Sequence, residues 1–255
     1  MRTLKLTIAY DGTRYAGWQA QRHSRTGGRP TIQATLERTL RRILREPVRV
    51  IGSGRTDAGV HAEAQVAHVR TRASLHAARL LRAANALLPA DLAVTRIEEV
   101  GQEFHARFGA KRKRYRYRLF TGAAAPPFIR PYVAHVRAPL DLARMRREAA
   151  ALKGRHDFRA FARAGSLASG RSAVRTIADI VLRRRGDELR LDIEGNGFLH
   201  TMVRTIAGTL IDVGRGRLPP GTARRMLRTG SRALAGTVAP AQGLTLRAVT
   251  YQDAS

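Results

Sequence analysis

Residues 52–62 read Gly-Ser-Gly-Arg-Thr-Asp-Ala-Gly-Val-His-Ala and form a glycine-rich loop between two stretches with strand character. Glycine adopts backbone angles that other residues resist, so such a loop permits a sharp turn or the close approach of a ligand. One carboxylate, Asp57, lies near its centre. We expect the chemistry of this protein at Asp57, although aspartate in such a setting also closes turns through its own side chain. We call residues 52–62 the Asp57 loop.

The Asp57 loop lies in the middle of a β-α-β-β-α-β order. The predicted elements are strand 3–10, a helix capped by Thr31, strands 47–52 and 63–70, a helix capped by Ser74 and stopped by Pro89, and strand 92–100. This order is that of the split βαβ, ferredoxin-like unit.

The second half of the chain repeats the order with longer connections. Its predicted elements are strand 111–120, helix 140–152, a hairpin of strands 175–185 and 188–194 around Gly186-Asp187, helix 198–213 and strand 244–251. We therefore predict an α+β protein with two ferredoxin-like (RRM-like) halves, residues 1–105 and 106–255, related by pseudo-twofold symmetry. Their sheets would join into one mainly antiparallel sheet, with helices on one side and an active-site groove.

The charge balance indicates a polyanionic partner. The 255 residues carry 47 basic and 19 acidic side chains, a net charge of +28, and only four of the basic residues are lysines. A compositional bias accounts for arginine in place of lysine but not for the shortage of acids. Phosphate backbone is the default partner of such a chain, since arginine binds phosphate with a planar fork and also stacks on bases.

Several other classes of protein have no support. The Asp57 loop has the glycine spacing of a P-loop but lacks the lysine and hydroxyl that follow it, and no dinucleotide-binding glycine pattern opens a helix. The chain has no cysteine, and its eight histidines show no metal-binding spacing. The N-terminal run at residues 4–10 lacks the pattern of a signal peptide, and residues 198–213 carry His200, Arg204 and Asp212, so they do not read as a membrane span. We expect a cytoplasmic protein without metal, nucleotide cofactor or membrane contact.

Two further segments carry candidate site residues. Residues 111–119 read Lys-Arg-Lys-Arg-Tyr-Arg-Tyr-Arg-Leu, so a strand would place its arginines on one face and Tyr115 on the other. The arginines would either grip phosphates beside a base stacked on tyrosine or form a solvated face over a tyrosine core. Arg204 follows His200 by one helical turn and is a surface arginine unless it faces the groove.

The chain resembles the TruA family of tRNA pseudouridine synthases along nearly its whole length. The matching motifs are Tyr10-Asp11-Gly12 with Tyr15, Gly17, Trp18 and Gln19; residues 54–61; Phe104-His105-Ala106-Arg107-Phe108; Tyr115-Arg116-Tyr117; Asn196 to His200; Met202-Val203-Arg204; and Ala239 to Leu244. It departs from the family at Gly197, where alanine is common, at Thr201, where a larger polar residue is usual, and in a longer loop at residues 22–31.

The resemblance implies a cofactor-free homodimer that converts uridine to pseudouridine at positions 38–40, in the anticodon stem-loop of tRNA. Asp57 falls on the catalytic aspartate, and Arg204 on the basic residue that pairs with it. Tyr115 falls on the tyrosine that stacks on the target base, and Arg55 on the arginine that fills the space left by the flipped nucleotide. Leu244 matches an apolar wall of the uracil pocket, and His61 belongs to the substrate-binding motif.

The residue types leave the path of the reaction open. Asp57 would attack C1′ or the base, or remove a sugar proton to start elimination. Two other classes stay open on the residues alone. A non-catalytic RNA-binding module explains the charge but gives Asp57 no task, and a base-excising glycosidase would need a second acid that the motifs do not supply.

Overall fold

The computed structural model describes residues 1–20, 28–166 and 172–251, and the described residues contain ten strands and five α-helices. They divide into two compact units. The first comprises residues 1–111 together with the C-terminal residues from 246 onwards, and the second comprises residues 112–245. The predicted loop at 22–31 falls largely outside the described residues.

The first unit follows the predicted β-α-β-β-α-β order. Its elements are β1 (Arg2–Tyr10), α1 (Ile32–Leu44), β2 (Ile51–Gly52), β3 (His61–Thr71), α2 (Ala77–Leu87) and β4 (Leu92–Val100). Strand β1 lies between β4 and β3 and is antiparallel to both, and β2 pairs with β3. This is the strand arrangement of a ferredoxin-like unit.

The core of the first unit is built from apolar side chains. They occur at every second residue of β1 and along one face of α1. Leu4, Leu6 and Ile8 on β1 are fully buried, as are Ile32, Leu36 and Leu40 on α1. Thr31 caps α1, because its hydroxyl accepts a hydrogen bond from the Ala34 N–H at 3.3 Å. The predicted cap and apolar face of this helix are confirmed.

The second unit contains the remaining strands and helices. They are β5 (Arg112–Phe120), β6 (Ala134–His135), α3 (Leu142–Ala150), β7 (Gly154–Asp157), β8 (Val174–Arg185), β9 (Glu188–Gly195), α4 (Met202–Gly214), α5 (Thr222–Thr229) and β10 (Leu244–Thr250), of which residues 246–250 belong to the first unit. Strands β5, β9, β8 and β7 are antiparallel neighbours in that order, and the short β6 runs parallel to β5. The β8–β9 hairpin turns at Gly186, whose φ is +57°, as predicted.

The compact units differ from the predicted halves 1–105 and 106–255. Residues 106–111 remain with the first unit, because the Tyr251 hydroxyl donates to the Ala106 carbonyl at 2.7 Å and the Lys111 N–H donates to the Thr250 carbonyl at 2.8 Å. Most of β10 also belongs to the first unit, where it lies beside β3. The final strand of the predicted second repeat therefore contributes mainly to the first unit.

Some element boundaries differ for local reasons. The strand predicted at 47–52 is reduced to two residues, since Pro47 has no N–H and the Val50 N–H bonds to the Glu37 carboxylate. The cap of α2 is His76, whereas Ser74 was predicted. Helix α4 starts at Met202 because Thr201 has a φ of +62°, which is incompatible with a helix that continues back to residue 198.

No helix in the described ranges is both long and apolar enough to cross a membrane.

Candidate active site

The Asp57 loop is held by close glycine contacts. A Cβ on Gly52 would lie 2.5 Å from the indole of Trp18, a side chain that is 2% exposed. A Cβ on Gly12 would lie 2.1 Å from the Val60 carbonyl oxygen. Both positions therefore require glycine, and the loop packs against a segment about forty residues earlier in the sequence.

Uncharged hydrogen bonds fix the loop at Thr56, directly before Asp57. The main-chain N–H of Trp18 donates to the Thr56 carbonyl at 3.1 Å. The Thr56 hydroxyl lies 2.8 Å from the Tyr10 hydroxyl. Burial raises the pKa of Tyr10 to about 12, and the bond to Thr56 opposes this rise. The tyrosine therefore stays neutral, and no charge is involved in holding Thr56.

The beginning of the loop is anchored to β3. The Ser53 hydroxyl donates to the Gln65 side-chain oxygen at 2.7 Å, and the Gln65 amide nitrogen donates to the Gly54 carbonyl at 3.2 Å. The Ser53 N–H also donates to the Val66 carbonyl at 2.7 Å. Ser53 and Gln65 are both buried, so breaking this pair would leave polar groups without solvent.

Asp57 lies at a fixed turn on the tip of the loop. The Val60 N–H donates to its main-chain carbonyl at 3.2 Å, and Gly59 adopts a φ of +77°. The bond that closes this turn is thus accepted by the main chain and not by the carboxylate. The Asp57 side chain is half-buried, whereas Arg55, two residues earlier, is exposed.

His61 ends the loop and is buried. Its Nδ1 lies 3.1 Å from the Gly12 N–H and 3.1 Å from the Asp11 carboxylate. Nδ1 accepts the Gly12 N–H when it carries no proton and donates to the Asp11 carboxylate when it does, so it makes one of these two contacts at a time. These contacts tie the Gly12 turn to the loop.

In the second unit, Tyr115 lies on the buried face of β5. It is 7% exposed, and its ring meets the ring of Phe198 edge to face, with centroids 5.2 Å apart. Tyr117 and Leu119 share this face and are fully buried, as the alternation in the sequence predicted. Phe198 precedes α4, so it links the strand of Tyr115 with the start of the helix that carries Arg204.

Arg204 is bound to the chain segment at residues 236–240. Its Nε donates to the Ala239 carbonyl at 2.8 Å, and its own carbonyl accepts from the Ala239 N–H at 3.1 Å. Gly208 and Asp212 lie one and two turns further along the same face of α4. A Cβ on Gly208 would lie 1.6 Å from the Thr237 carbonyl oxygen, and the Asp212 carboxylate accepts from the Thr237 N–H at 2.9 Å.

Tyr117 holds the same segment from β5. Its hydroxyl donates to the Pro240 carbonyl at 2.8 Å, next to the carbonyl that Arg204 binds. Burial raises the pKa of Tyr117, and the positive charge of Arg204 opposes this rise in part. A Cβ on Gly243 would lie 2.7 Å from the Tyr117 ring, and Leu244, 6% exposed, follows directly at the start of β10.

The arginines of β5 are paired with acids of β9, and we call this set of cross-strand ion pairs the arginine ladder. Arg114 binds Glu194 at 2.6 Å, Arg116 binds both oxygens of Asp192 at 2.7 and 3.1 Å, and Arg118 binds both oxygens of Glu188 at 2.8 and 3.1 Å. Two more arginines, Arg183 on β8 and Arg190 on β9, bind Asp192 and Glu188. Of the two interpretations of this strand, the phosphate comb loses its main support, because its arginines already have carboxylate partners.

The predicted site residues therefore fall into two groups. Arg55, Asp57 and His61 lie on the Asp57 loop in the first unit. Tyr115, Arg204 and Leu244 lie in the second unit, where Tyr117 and residues 239–243 bring the surroundings of Arg204 and Leu244 together. In both groups, the flanking backbone is fixed by short contacts.

The sequence profile of the family described as tRNA pseudouridine synthase matches residues 6–109 and 149–252. The chain belongs to this family. The two matched stretches include the Asp57 loop and Arg204, whereas β5 with Tyr115 lies between them.

Curated relatives within the tRNA pseudouridine synthase family match the chain over almost its full length. The protein named tRNA pseudouridine synthase A from Moorella thermoacetica is 43% identical over 98% of this chain and 100% of its own. The protein of the same name from Halalkalibacterium halodurans is 45% identical over 96% and 90%. Among solved structures, a chain of a Cbf5-Nop10-Gar1 complex is 12% identical with a TM-score of 0.39, over 95% of this chain and 48% of that one, which is too distant to bear on function.

Sequence reasoning missed the parts of this tRNA pseudouridine synthase that hold the site residues in place. Gly12 and Tyr117 were noted only as motif residues, yet Gly12 contacts the Asp57 loop and Tyr117 binds the segment beside Arg204. The sequence shows that Gly12 follows a strand and that Tyr117 comes two residues after Tyr115. It does not show their partners, because Val60 lies 48 residues from Gly12 and Pro240 lies 123 residues from Tyr117.

Proposed function

We propose that this protein isomerises uridine to pseudouridine in the anticodon stem-loop of tRNA, at positions 38–40. The observation that carries the proposal is the family match, together with near full-length identity to proteins named tRNA pseudouridine synthase A. The net charge of +28 supports an RNA substrate. We further propose that the protein works in the cytoplasm as a homodimer, as the family resemblance implies.

The reaction needs no external reagent. The bond from C1′ to N1 breaks and a bond from C1′ to C5 forms, while the proton of C5 is lost and N1 gains one. Atoms and electrons therefore balance within the nucleotide, without oxidant, reductant or nucleotide triphosphate. One positioned carboxylate is a sufficient catalytic group, acting as a nucleophile or as a base.

Asp57 is the proposed catalytic carboxylate. The support from the structure is its place on a turn whose neighbours Thr56 and Val60 are bound by main-chain hydrogen bonds, so its side chain projects from a rigid support. Arg204 is the proposed cation of the reaction. Its bond to the Ala239 carbonyl limits the positions that its guanidinium adopts.

The remaining site residues have proposed roles in binding the flipped uridine. Tyr115 stacks on the base, and Leu244 forms an apolar wall against it. Arg55, which is exposed, fills the space that the nucleotide leaves in the stem. His61 is 4% exposed, so we propose that it contributes through the Asp57 loop and does not touch the RNA.

The decisive experiment measures tritium release from tRNA labelled at uridine C5, with purified protein and no added cofactor. Wild-type protein is expected to turn over repeatedly, and Asp57→Asn to lose at least about 10³-fold in rate, because a catalytic group is removed with little change in shape. tRNA binding is expected to persist in the variant. Arg55→Gln serves as the matched control on the same loop, with weaker binding and residual turnover.

Two outcomes would contradict the proposal in different ways. Wild-type binding without tritium release would make the protein a non-catalytic RNA-binding module. Normal turnover by Asp57→Asn would keep the enzyme but remove Asp57 from its catalytic role. Mapping the product by mass spectrometry excludes base excision, which would leave an abasic site instead of pseudouridine.

A further inference from the structure

One exposed aromatic side chain, Phe108, is not among the candidate site residues above. Phe108, in the first unit, is 78% exposed, and its ring packs on the ring of His105 with centroids 4.4 Å apart and planes 31° apart. The guanidinium of Arg107 lies 5.7 Å from the Phe108 centroid. We call these three residues the Phe108 platform. At 78% exposure, most of the ring surface is open to solvent.

The platform is supported by a continuous column of rings. Starting from the platform, His105 meets His68 at 4.8 Å, His68 meets Phe104 at 6.1 Å, and Phe104 meets Tyr251 at 4.9 Å, all between ring centroids. His68 is 2% exposed, and burial lowers its pKa to about 4, with further lowering by the charges of His105 and Arg70. His68 is therefore uncharged at neutral pH.

Hydrogen bonds fix the backbone of the platform. The N–H groups of Arg107 and Phe108 donate to His105 Nδ1 at 3.1 and 3.2 Å, and the Gly109 N–H donates to the His105 carbonyl at 2.9 Å. The Ala106 N–H donates to His68 Nδ1 at 3.1 Å. The backbone of the turn at 105–109 is therefore held from within and from the column beneath it, and the Phe108 ring rests on His105.

A rigid exposed aromatic ring beside a cation fits an unpaired nucleotide. Nucleobases stack on aromatic side chains with little regard to sequence, and a rigid ring loses little entropy in doing so. The guanidinium of Arg107, which lies beside this ring, is a group that binds phosphate. On a chain with a net charge of +28, a polyanion is the ligand that the surrounding field favours.

We propose that the Phe108 platform binds an unpaired nucleotide of the tRNA substrate, with its base stacked on Phe108 and its phosphate at Arg107, as a contact separate from the uridine that reacts. This proposal rests on the proposed function for the identity of the RNA. Phe108 is thus a residue that positions the substrate and takes no part in the chemistry.

The first test compares two exposed phenylalanines by filter binding with unmodified tRNA transcript. Phe108→Ala is expected to raise Kd about tenfold, within the range that base stacking contributes, and to leave kcat at saturating tRNA unchanged. Phe128→Ala is the matched control, since Phe128 is 92% exposed in the second unit, and its Kd is expected to match wild type. An unchanged Kd in Phe108→Ala overturns the proposal.

The second test observes stacking directly with Phe108→Trp. The chain has one tryptophan, Trp18, which is 2% exposed, so the change in emission on tRNA binding beyond that of wild-type protein reports on position 108. Quenching by tRNA, and much weaker quenching by a blunt RNA duplex of equal length, is expected because a duplex offers no unpaired base. Equal quenching by both, or none, overturns the proposal.

The last measurement separates RNA from a second copy of the chain as the occupant. Light scattering is expected to give the same molar mass for wild type and Phe108→Ala. A lower mass for Phe108→Ala would show that the platform lies in an interface between two copies of the chain, and it would overturn the proposal. Failure of the proposed function is distinguishable, because it shows as absence of pseudouridine with wild-type protein, whereas the platform is judged on Kd and emission alone.

Discussion

The Asp57 loop and the arginine ladder are held together in opposite ways. The loop is fixed by glycine contacts and by hydrogen bonds between uncharged groups, such as Thr56 with Tyr10 and Ser53 with Gln65. The ladder is fixed by ion pairs, with Arg116 bound to Asp192 and Arg118 bound to Glu188 through two hydrogen bonds each. The first kind of support depends on shape and the second on charge.

This difference shows which charges of a very basic protein are structural. Arginines on β5 that the sequence presents as a phosphate-binding comb are instead held by three acids of β9, so they stabilise the sheet. Around Asp57, the hydrogen bonds of Thr56 with Tyr10 and of Ser53 with Gln65 join uncharged groups, so they hold the loop through geometry. We therefore expect substitutions in the loop to change activity through geometry, and substitutions in the ladder to change stability alone.

Among substitutions in these two supports, the largest effect is expected for Gly12→Ala. The new Cβ would lie 2.1 Å from the Val60 carbonyl oxygen, so the backbone must shift; we expect a loss of about 2–3 kcal/mol in the free energy of unfolding and roughly 100-fold in kcat. Denaturant titration measures the free energy of unfolding, and the tritium-release assay measures kcat. Gly197→Ala is the control, because its Cβ meets only the Arg175 side chain at 3.6 Å, and both quantities should stay near wild type. A Gly12→Ala protein with normal kcat would show that the loop does not depend on its shape.

A smaller effect is expected for Asp192→Asn. Arg116 and Arg183 lose their shared counter-charge, and we expect a loss of about 1–2 kcal/mol in the free energy of unfolding without a change in kcat. The deficit should shrink in 1 M salt, where charges are screened. Asp179→Asn is the control, since its pair with Lys153 is 3.5 Å long and well exposed. A fall in kcat with unchanged stability would place the ladder in the catalytic machinery.

The smallest effect is expected for Glu188→Gln, as a change in how the free energy of unfolding depends on pH. Hydrogen bonds from Arg118, with further help from Arg190, lower the pKa of Glu188 to about 2. A carboxyl whose pKa is lower in the folded state stabilises the fold above its unfolded pKa, and this contribution disappears as pH falls to the folded value. Glu188→Gln should therefore differ most from wild type near pH 6, and the two curves should converge between about pH 4.5 and 2. If the difference in free energy of unfolding between wild type and Glu188→Gln stays the same at every pH, the arginine ladder is not held by charge.

Much of the fold was predictable because local pattern and tertiary environment agree. The alternation in β1 and the apolar stripe of α1 each predict a buried face, and both faces are buried. Helix α5 was not predicted: its start is bound by Glu148, whose carboxylate accepts from the Gly221 and Ala223 N–H groups, and Glu148 lies more than seventy residues earlier. Strand β7 was missed for a similar reason, as its four residues are defined by pairing with β8.

The candidate site residues come from family motifs, whereas the contacts that support them were not predicted. The position of Asp57 in the glycine loop is plain in the sequence, whereas the role of the arginines in β5 depended on which strand became its neighbour. Antiparallel register places Glu194 opposite Arg114 and Asp192 opposite Arg116. Register is a property of the folded sheet, so the choice between a phosphate-binding face and a structural ladder required the structure.

The return of β10 to the first unit has a consequence for synthesis on the ribosome. Residues 246–250 are translated after the whole second unit, yet they lie beside β3, and Thr250 and Tyr251 bind Lys111 and Ala106. Until then, the part of the β3 edge that β10 covers has no partner strand, and among the described strands only β2 makes its short contact on that edge. The Asp57 loop therefore belongs to a sheet whose strand β10 is translated only after the second unit.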